Sequence, residues 1–262
     1  MQNTGTPALV LTDLAIGYAA GKKGHQVVET IDAALYSGEL VSLIGSNGAG
    51  KSTLLRTVSA FQPPLSGSIS YRGLKEEATT ASQLSRHLAI VLTAREPIYN
   101  LTVREVVTMG RTPYTGLLGR VTAHDRAIVD ESMELLGITS LAGRMIDTLS
   151  DGERQKAMIA KALAQETPVI LLDEPTAFLD FTSRVQLMQT LRKLAHKRQK
   201  AILLSTHDIE LALQLSDRLW LIDKGRLHAG SVEELSDNGA LSSFIDSSGI
   251  RYDIAHKRII IE

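Results

Sequence analysis

The stretch Gly45-Ser46-Asn47-Gly48-Ala49-Gly50-Lys51-Ser52 sets glycines at fixed intervals ahead of a lysine and a hydroxyl. The spacing is G-x-x-x-x-G-K-[ST], and its chemistry is the binding of phosphate. Glycines let neighbouring backbone N–H groups turn toward one anion. A helix start at Lys51 would add unpaired donors and a partial positive charge. Lys51 has the reach for the β- and γ-phosphates of a nucleotide, and the Ser52 hydroxyl is placed to ligate Mg²⁺. Gly45 through Thr53 form the expected cradle.

A second group lies far along the chain. The apolar run Val169-Ile170-Leu171-Leu172 ends in Asp173 and Glu174. Strand ends are where α/β sheets bind ligands. Asp173 suits Mg²⁺, directly or through water, and Glu174 suits the orientation and deprotonation of an attacking water. Alone, such a pair also fits a strand ending in solvated acids; together with the glycine-lysine run it points to nucleotide hydrolysis. A third group, Leu149-Ser150-Asp151-Gly152-Glu153, leads into an apolar-striped segment. Ser150 and Glu153 have the spacing of a capping box. A capped helix start beside glycine also suits a phosphate, and the residues alone leave both readings open.

These groups need a rigid support. Leu9 to Leu14, Val27 to Leu35, Leu40 to Ile44, His87 to Leu92, Val169 to Leu172, Ala201 to Ser205 and Leu219 to Ile222 read as strands. Several are unbroken Val/Ile/Leu runs, as in a largely parallel sheet buried on both faces. The earliest strands, interrupted by Gly21-Lys22-Lys23-Gly24 and Ser37-Gly38, read as an antiparallel β piece. From about Thr102 to Gln165 the period becomes helical, at Val103 to Met109 and Ala123 to Leu136, which predicts a helical lobe inserted in the core. Arg104, Arg111 and Arg120 read there as solvated charges. Ile250, Tyr252 and Ile254, then Ile259 and Ile261, alternate like a hairpin that is expected to pack on the core.

Composition narrows the partners. The net charge is −1, so no basic footprint for nucleic acid is expected. There is no cysteine, which excludes disulfides and thiolate metal sites. No signal core and no run of membrane-spanning length occurs in the sequence. A soluble protein is expected, attached to a membrane only through an integral partner.

Over nearly its whole length the chain resembles the nucleotide-binding subunit of ABC transporters. Leu149 to Glu153 resembles the family's signature motif, LSGGQ in most members. Phe178-Leu179-Asp180 resembles the D-loop, Ser205-Thr206-His207-Asp208 the segment of the switch histidine, and Tyr18 falls where an aromatic stacks on adenine. The resemblance implies an α/β fold, a P-loop NTPase core with a RecA-like mixed sheet and an antiparallel β piece, plus the inserted lobe. It implies a core at 1–93 and 166–235, a lobe at 94–165 and a tail at 236–262. It implies ATP and Mg²⁺ as ligands and a head-to-tail dimer, in which Ser150 and Gly152 of one copy face the γ-phosphate held by Lys51 of the other. Asp180 and His207 would complete that site. Integral membrane permease subunits, indirectly a substrate-binding protein, and a seat on the cytoplasmic face of the cell membrane are implied as well.

Two departures stand out. The signature carries Asp151 and Glu153 where Gly and Gln are usual. Thr93 stands where the Q-loop glutamine is usual; its hydroxyl still suits Mg²⁺-bound water, with shorter reach. Within the family, Leu101-Thr102-Val103-Arg104-Glu105-Val106 and Gly110-Arg111-Thr112-Pro113 resemble the importers of iron-chelates, haem and cobalamin. An exporter or another importer branch is the main alternative. A DNA-repair or chromosome ATPase would need long coiled coils between the P-loop and signature segments, and residues 53–148 lack sustained heptads.

Overall fold

A computed structural model describes residues 5–18, 25–74, 80–92, 98–116, 119–246 and 250–261. β1 (Pro7–Tyr18) pairs antiparallel with β2 (His25–Tyr36) on one side and with β4 (Ser66–Tyr71) on the other. The main sheet is separate. Its order is β5 (Leu88–Val91), β6 (Val169–Leu172), β7 (Ala201–Ser205), β3 (Leu40–Gly45), β8 (Arg218–Asp223) and β9 (Arg226–Gly230). All its neighbours run parallel except the β8–β9 hairpin. The architecture is therefore mixed α/β, with an antiparallel piece beside a mostly parallel sheet.

Period-two alternation explains the unbroken apolar strands. In β6, Val169 and Leu171 enter one core cluster while Ile170 and Leu172 enter another. In β7, Ala201 and Leu203 share the first cluster, Ile202 and Leu204 the second. Each face needs an apolar cover, so neither side of these strands is polar. One cover is the antiparallel sheet with α1 (Lys51–Val58), whose Leu54, Leu55 and Val58 are fully buried. Short α2 (Ala81–Leu84) lies near its edge, with Leu84 in the same cluster.

The other cover joins the inserted segment to the sheet. It comprises α3 (Val103–Thr108), α4 (Ala123–Leu135), α5 (Asp151–Ala164) and α6 (Phe181–Arg198). α3, α4 and α5 each begin at a capping box, built on Thr102, Thr122 and Ser150. α7 (Ile209–Leu215), α8 (Val232–Asp237) and α9 (Ala240–Ile245) form a third cluster with β8. β10 (Ile250–Asp253) pairs antiparallel with β11 (Arg258–Ile261). Tyr252 pins this hairpin to α8: it is buried, and its hydroxyl shares a 2.9 Å hydrogen bond with Ser236.

Arg111 corrects the reading of the lobe arginines as solvated charges. Arg104 fits that reading, half-exposed and paired with Asp130, and Arg120 is exposed. Arg111 is only 3% exposed. Its neighbour Gly110 is the cause: a Cβ there would lie 2.2 Å from the Lys161 carbonyl oxygen, so glycine alone allows the turn Met109–Tyr114 to press against α5. Arg111 then donates to Asp125 at 2.9 Å, to the Ala164 carbonyl at 2.7 Å and to Glu166 at 2.9 Å. The Tyr114 ring stacks 4.3 Å from the guanidinium. Asp125 is held down to about 2, first by the Thr122 hydroxyl and backbone N–H and then by Arg111. Removing one partner of such a buried pair typically costs about 3–5 kcal/mol.

Candidate functional site

The site lies where β3, β6 and β7 end side by side. Their parallel register places Gly45, Leu172 and Ser205 at one edge of the sheet. The chain turns there through Gly45–Gly50 into α1. Gly50 occupies the N-cap position at φ 110°, a left-handed conformation, and a Cβ there would meet Val27 Cγ1 at 2.7 Å. No side chain caps this helix, so the backbone donors of its first turn are left to the cleft.

Lys51 is buried, and its Nζ donates to the carbonyl oxygens of Gly45 at 2.7 Å and Ser46 at 3.2 Å. Burial pulls its ammonium below the ordinary lysine value, against the opposing pull of Glu174 and Asp173. The lysine is thus held by the loop that it serves, with a desolvation cost that an arriving anion would offset.

Asp173 ties the strand ends together. Its Oδ1 accepts from the Ser52 hydroxyl at 3.1 Å and from the Ser205 hydroxyl at 2.7 Å. Ser205 Oγ in turn accepts the Glu174 backbone N–H at 2.9 Å. Hydroxyl and carboxylate oxygens suit a hard divalent cation such as Mg²⁺. Glu174 itself lies at φ 49°, the left-handed region that a non-glycine residue rarely occupies. Its Oε1 hydrogen-bonds His207 Nε2. Such local strain is typical of residues whose placement matters to chemistry.

Tyr18, Asn47, Gly48, Gly50, Lys51, Ser52, Thr53, Glu174 and His207 line one cleft of about 380 Å³. The Tyr18 hydroxyl is pinned to Thr53 Oγ1 at 2.9 Å, which fixes its ring at the mouth. Gly45, Ser46 and Ala49 form the turn beneath: Gly45 and Ser46 hold Lys51, and the Ala49 N–H closes on the Ser46 carbonyl at 3.2 Å. Ser150, Gly152 and Asp180 are not in that cleft. They line a second one of about 310 Å³, between the start of α5 and the start of α6. There Ser150 is engaged with Glu153, its backbone N–H and its hydroxyl both 2.9 Å from Glu153 Oε2. Asp180 caps α6 through the Ser183 N–H at 2.9 Å, which lowers its carboxylate's pKa. Thr93 lies outside the described residues.

The sequence reading missed some of the lining. His25, opposite Tyr18 in the β1–β2 register, and Val27 both face the nucleotide-side cleft. Ser205 was legible only as part of a motif, yet it is the hinge between Asp173 and Glu174. Its one signal is a hydroxyl ending a strand that is otherwise apolar.

Comparison with known proteins gives this geometry its context. The family model described as ABC transporter matches residues 28–177. The chain is 37% identical over 228 residues to a cobalamin import ATP-binding protein of Halobacterium salinarum, covering 87% of this chain and 55% of that relative. It is 34% identical over 218 residues to an iron(3+)-hydroxamate import ATP-binding protein of Bacillus subtilis, covering 83% of this chain and 80% of that one. A solved ATP-binding cassette, a dimer in a post-hydrolysis state with ADP and Pi, superposes with a TM-score of 0.75 at 26% identity, over 85% of this chain and 98% of that one. Among the described residues no helix is long and apolar enough to cross a membrane. With its glycine-lysine turn, paired strand-end carboxylates and His207 gathered at one sheet edge, the chain belongs to the ABC transporter family and is one of its ATPase subunits.

Proposed function

We propose that this chain binds Mg²⁺-ATP between two copies arranged head to tail, and that its hydrolysis drives import of an iron-chelate, haem or cobalamin through integral membrane permease subunits. One observation carries the catalytic part: Lys51, Ser52 and the Glu174–His207 pair line a single cleft, with Asp173 bonded to Ser52 behind it. In this reading Gly45 to Thr53 wrap the phosphates, Lys51 holds the β- and γ-phosphates, and Tyr18 seats the base. Ser52 and Asp173 hold Mg²⁺, with Thr93 beyond its bound water; the ion supplies charge neutralisation at the phosphates. Glu174 accepts the proton of the attacking water while His207 holds its carboxylate and faces the γ-phosphate. Ser150 and Gly152 of the second copy close the site from the other side, next to Asp180.

Support for the importer branch comes from the Leu101 to Pro113 stretch and from the cobalamin and iron-hydroxamate importers among the relatives. The lobe, residues 94–165, would meet the permease on the cytoplasmic face of the cell membrane, and a substrate-binding protein would deliver cargo from the opposite side. Because no residue of this chain need touch cargo, selectivity lies in those partners. ATP closure can drive them only if the lobe binds their conformations with different affinity.

The test uses the full chain reconstituted with its native permease in vesicles. ATP-dependent uptake of an iron-chelate, haem or cobalamin is expected. Glu174→Gln should abolish it, retain ATP binding and slow hydrolysis by about 10²-fold or more. Near-normal turnover in Glu174→Gln would remove the base assignment. Export of lipid or drug, or import of amino acids or sugars alone, would overturn the branch and leave the ATPase reading standing.

A further inference from the structure

Asp208 follows His207 in the chain and fixes the segment that carries it. One of its carboxylate oxygens accepts the Leu211 N–H at 3.1 Å and caps α7. Its own N–H donates to Thr206 Oγ1 at 3.0 Å. Its second oxygen accepts from Arg184 Nη1 at 3.2 Å. Arg184 sits in the first turn of α6, where its backbone N–H bonds the Asp180 carbonyl at 2.9 Å. The guanidinium therefore bridges the helix that starts at Asp180 to the loop that presents His207 to Glu174. It does so with a defect, since Arg184 Nε is buried and has no hydrogen-bond partner. A buried donor left unpaired opposes stability, and the Asp208 contact is made on the other side of the guanidinium, by Nη1.

We propose that Arg184 is a positioning residue for hydrolysis: through Asp208 it holds His207 against Glu174 and links that contact to the D-loop segment at Asp180. This rests on the reading of Glu174 and His207 as the hydrolytic pair. A surface pressing on Asp180, such as the second copy in a head-to-tail dimer, then has a short mechanical route to the base, consisting of one helical turn and one ion pair.

Suitable variants isolate the ion pair. Arg184→Met keeps the aliphatic stem. Asp208→Asn keeps an acceptor able to cap α7, and it carries the test should Arg184→Met fail to fold. Steady-state ATPase rates of the full chain are measured alone and with its permease, alongside ATP affinity from a fluorescent nucleotide. Each single change is expected to lower kcat by about tenfold, as for a displaced base partner, with KM for ATP within about twofold. The double variant should be no slower than the slower single, because both remove one contact. Arg184→Lys should recover part of the rate. The inference is overturned if kcat stays within about twofold of the parent, if KM rises in step as kcat falls, if the two losses multiply, or if Arg184→Lys recovers nothing. The underlying reading fails separately: near-normal turnover in Glu174→Gln removes the base, whereas an inactive Glu174→Gln beside a normal Arg184→Met removes only the positioning role.

Discussion

The starts of α1 and α5 are both glycine-flanked helix N-termini, and the protein finishes them in opposite ways. α1 follows Gly50 with no side-chain cap and no acid in its first turn. α5 follows Ser150 with a full capping box and carries Asp151 and Glu153 in its first turn. At α1 the exposed donors face a cleft whose nearest cation, Lys51, is held below its ordinary pKa by burial. At α5 the Ser150 hydroxyl takes the Glu153 N–H and the Glu153 carboxylate takes the Ser150 N–H and hydroxyl, which holds Glu153 below its ordinary pKa, with Arg144 3.6 Å from its other oxygen. The same helix dipole is thus left open at one end of the proposed ATP sandwich and self-occupied at the other. A bare start is a standing anion site; a filled one must release or outcompete its own acid before a phosphate can approach.

The largest expected effect comes from filling the bare start. Gly50→Ala adds a methyl 2.7 Å from Val27 Cγ1 at a φ of 110°. Strain and overpacking of about 2–4 kcal/mol should weaken ATP binding on the order of 10²-fold, as titration calorimetry would measure. Parent-like affinity would erase the distinction between the two starts.

Emptying the filled start should do less, and in the opposite direction. Glu153→Gln keeps the box and removes the charge. In a Glu174→Gln background it should tighten the ATP-dependent dimer about three- to tenfold, a gain near 1 kcal/mol for one exposed charge near phosphate. Sedimentation in ATP would read this, and the gain should shrink in high salt. An unchanged or weaker dimer means that the Glu153 charge points away from the nucleotide.

The smallest effect is on stability. Ser150→Ala should cost about 1 kcal/mol, a fall of about 2–4 °C in the melting temperature. Because the Glu153 pKa is lowered on folding, its contribution is fully present above the ordinary glutamate value of 4.5. It is lost as pH falls through the lower folded value. Glu153→Gln should flatten that part of the acid melting curve; an acid limb unchanged in Glu153→Gln would mean that the box adds nothing.

What the sequence disclosed follows the range of the interactions involved. The cradle from Gly45 to Thr53 and the strands at Leu40, Val169 and Ala201 are local patterns, and each reads as a continuous run. β4 and β9 went unread because Ser66-Gly67-Ser68 and Arg226 to Gly230 have little apolar character; they are strands because β1 and β8 supply their partners. Arg111, expected to be a solvated charge, is buried for a related reason. Its burial depends on Asp125, Ala164 and Glu166, which only the fold brings beside it. His25 faces the cleft because of its register opposite Tyr18, and nothing in its neighbours announces that.

The Gly110–Arg111 turn also bears on how this chain can be recombined. Its contacts reach α4 at Asp125 and the end of α5 at Lys161, Ala164 and Glu166, and Tyr114 adds a bond to the Gln165 carbonyl at 3.0 Å. A chimera that grafts a relative's α3 and the turn after it while keeping the local return segment would pair a foreign arginine turn with native acceptors. The heritable unit of the lobe is therefore discontinuous. The turn at 109–114, the start of α4 and residues 161–166 are best exchanged together, and crossover points placed between them should lower the chimera's melting temperature.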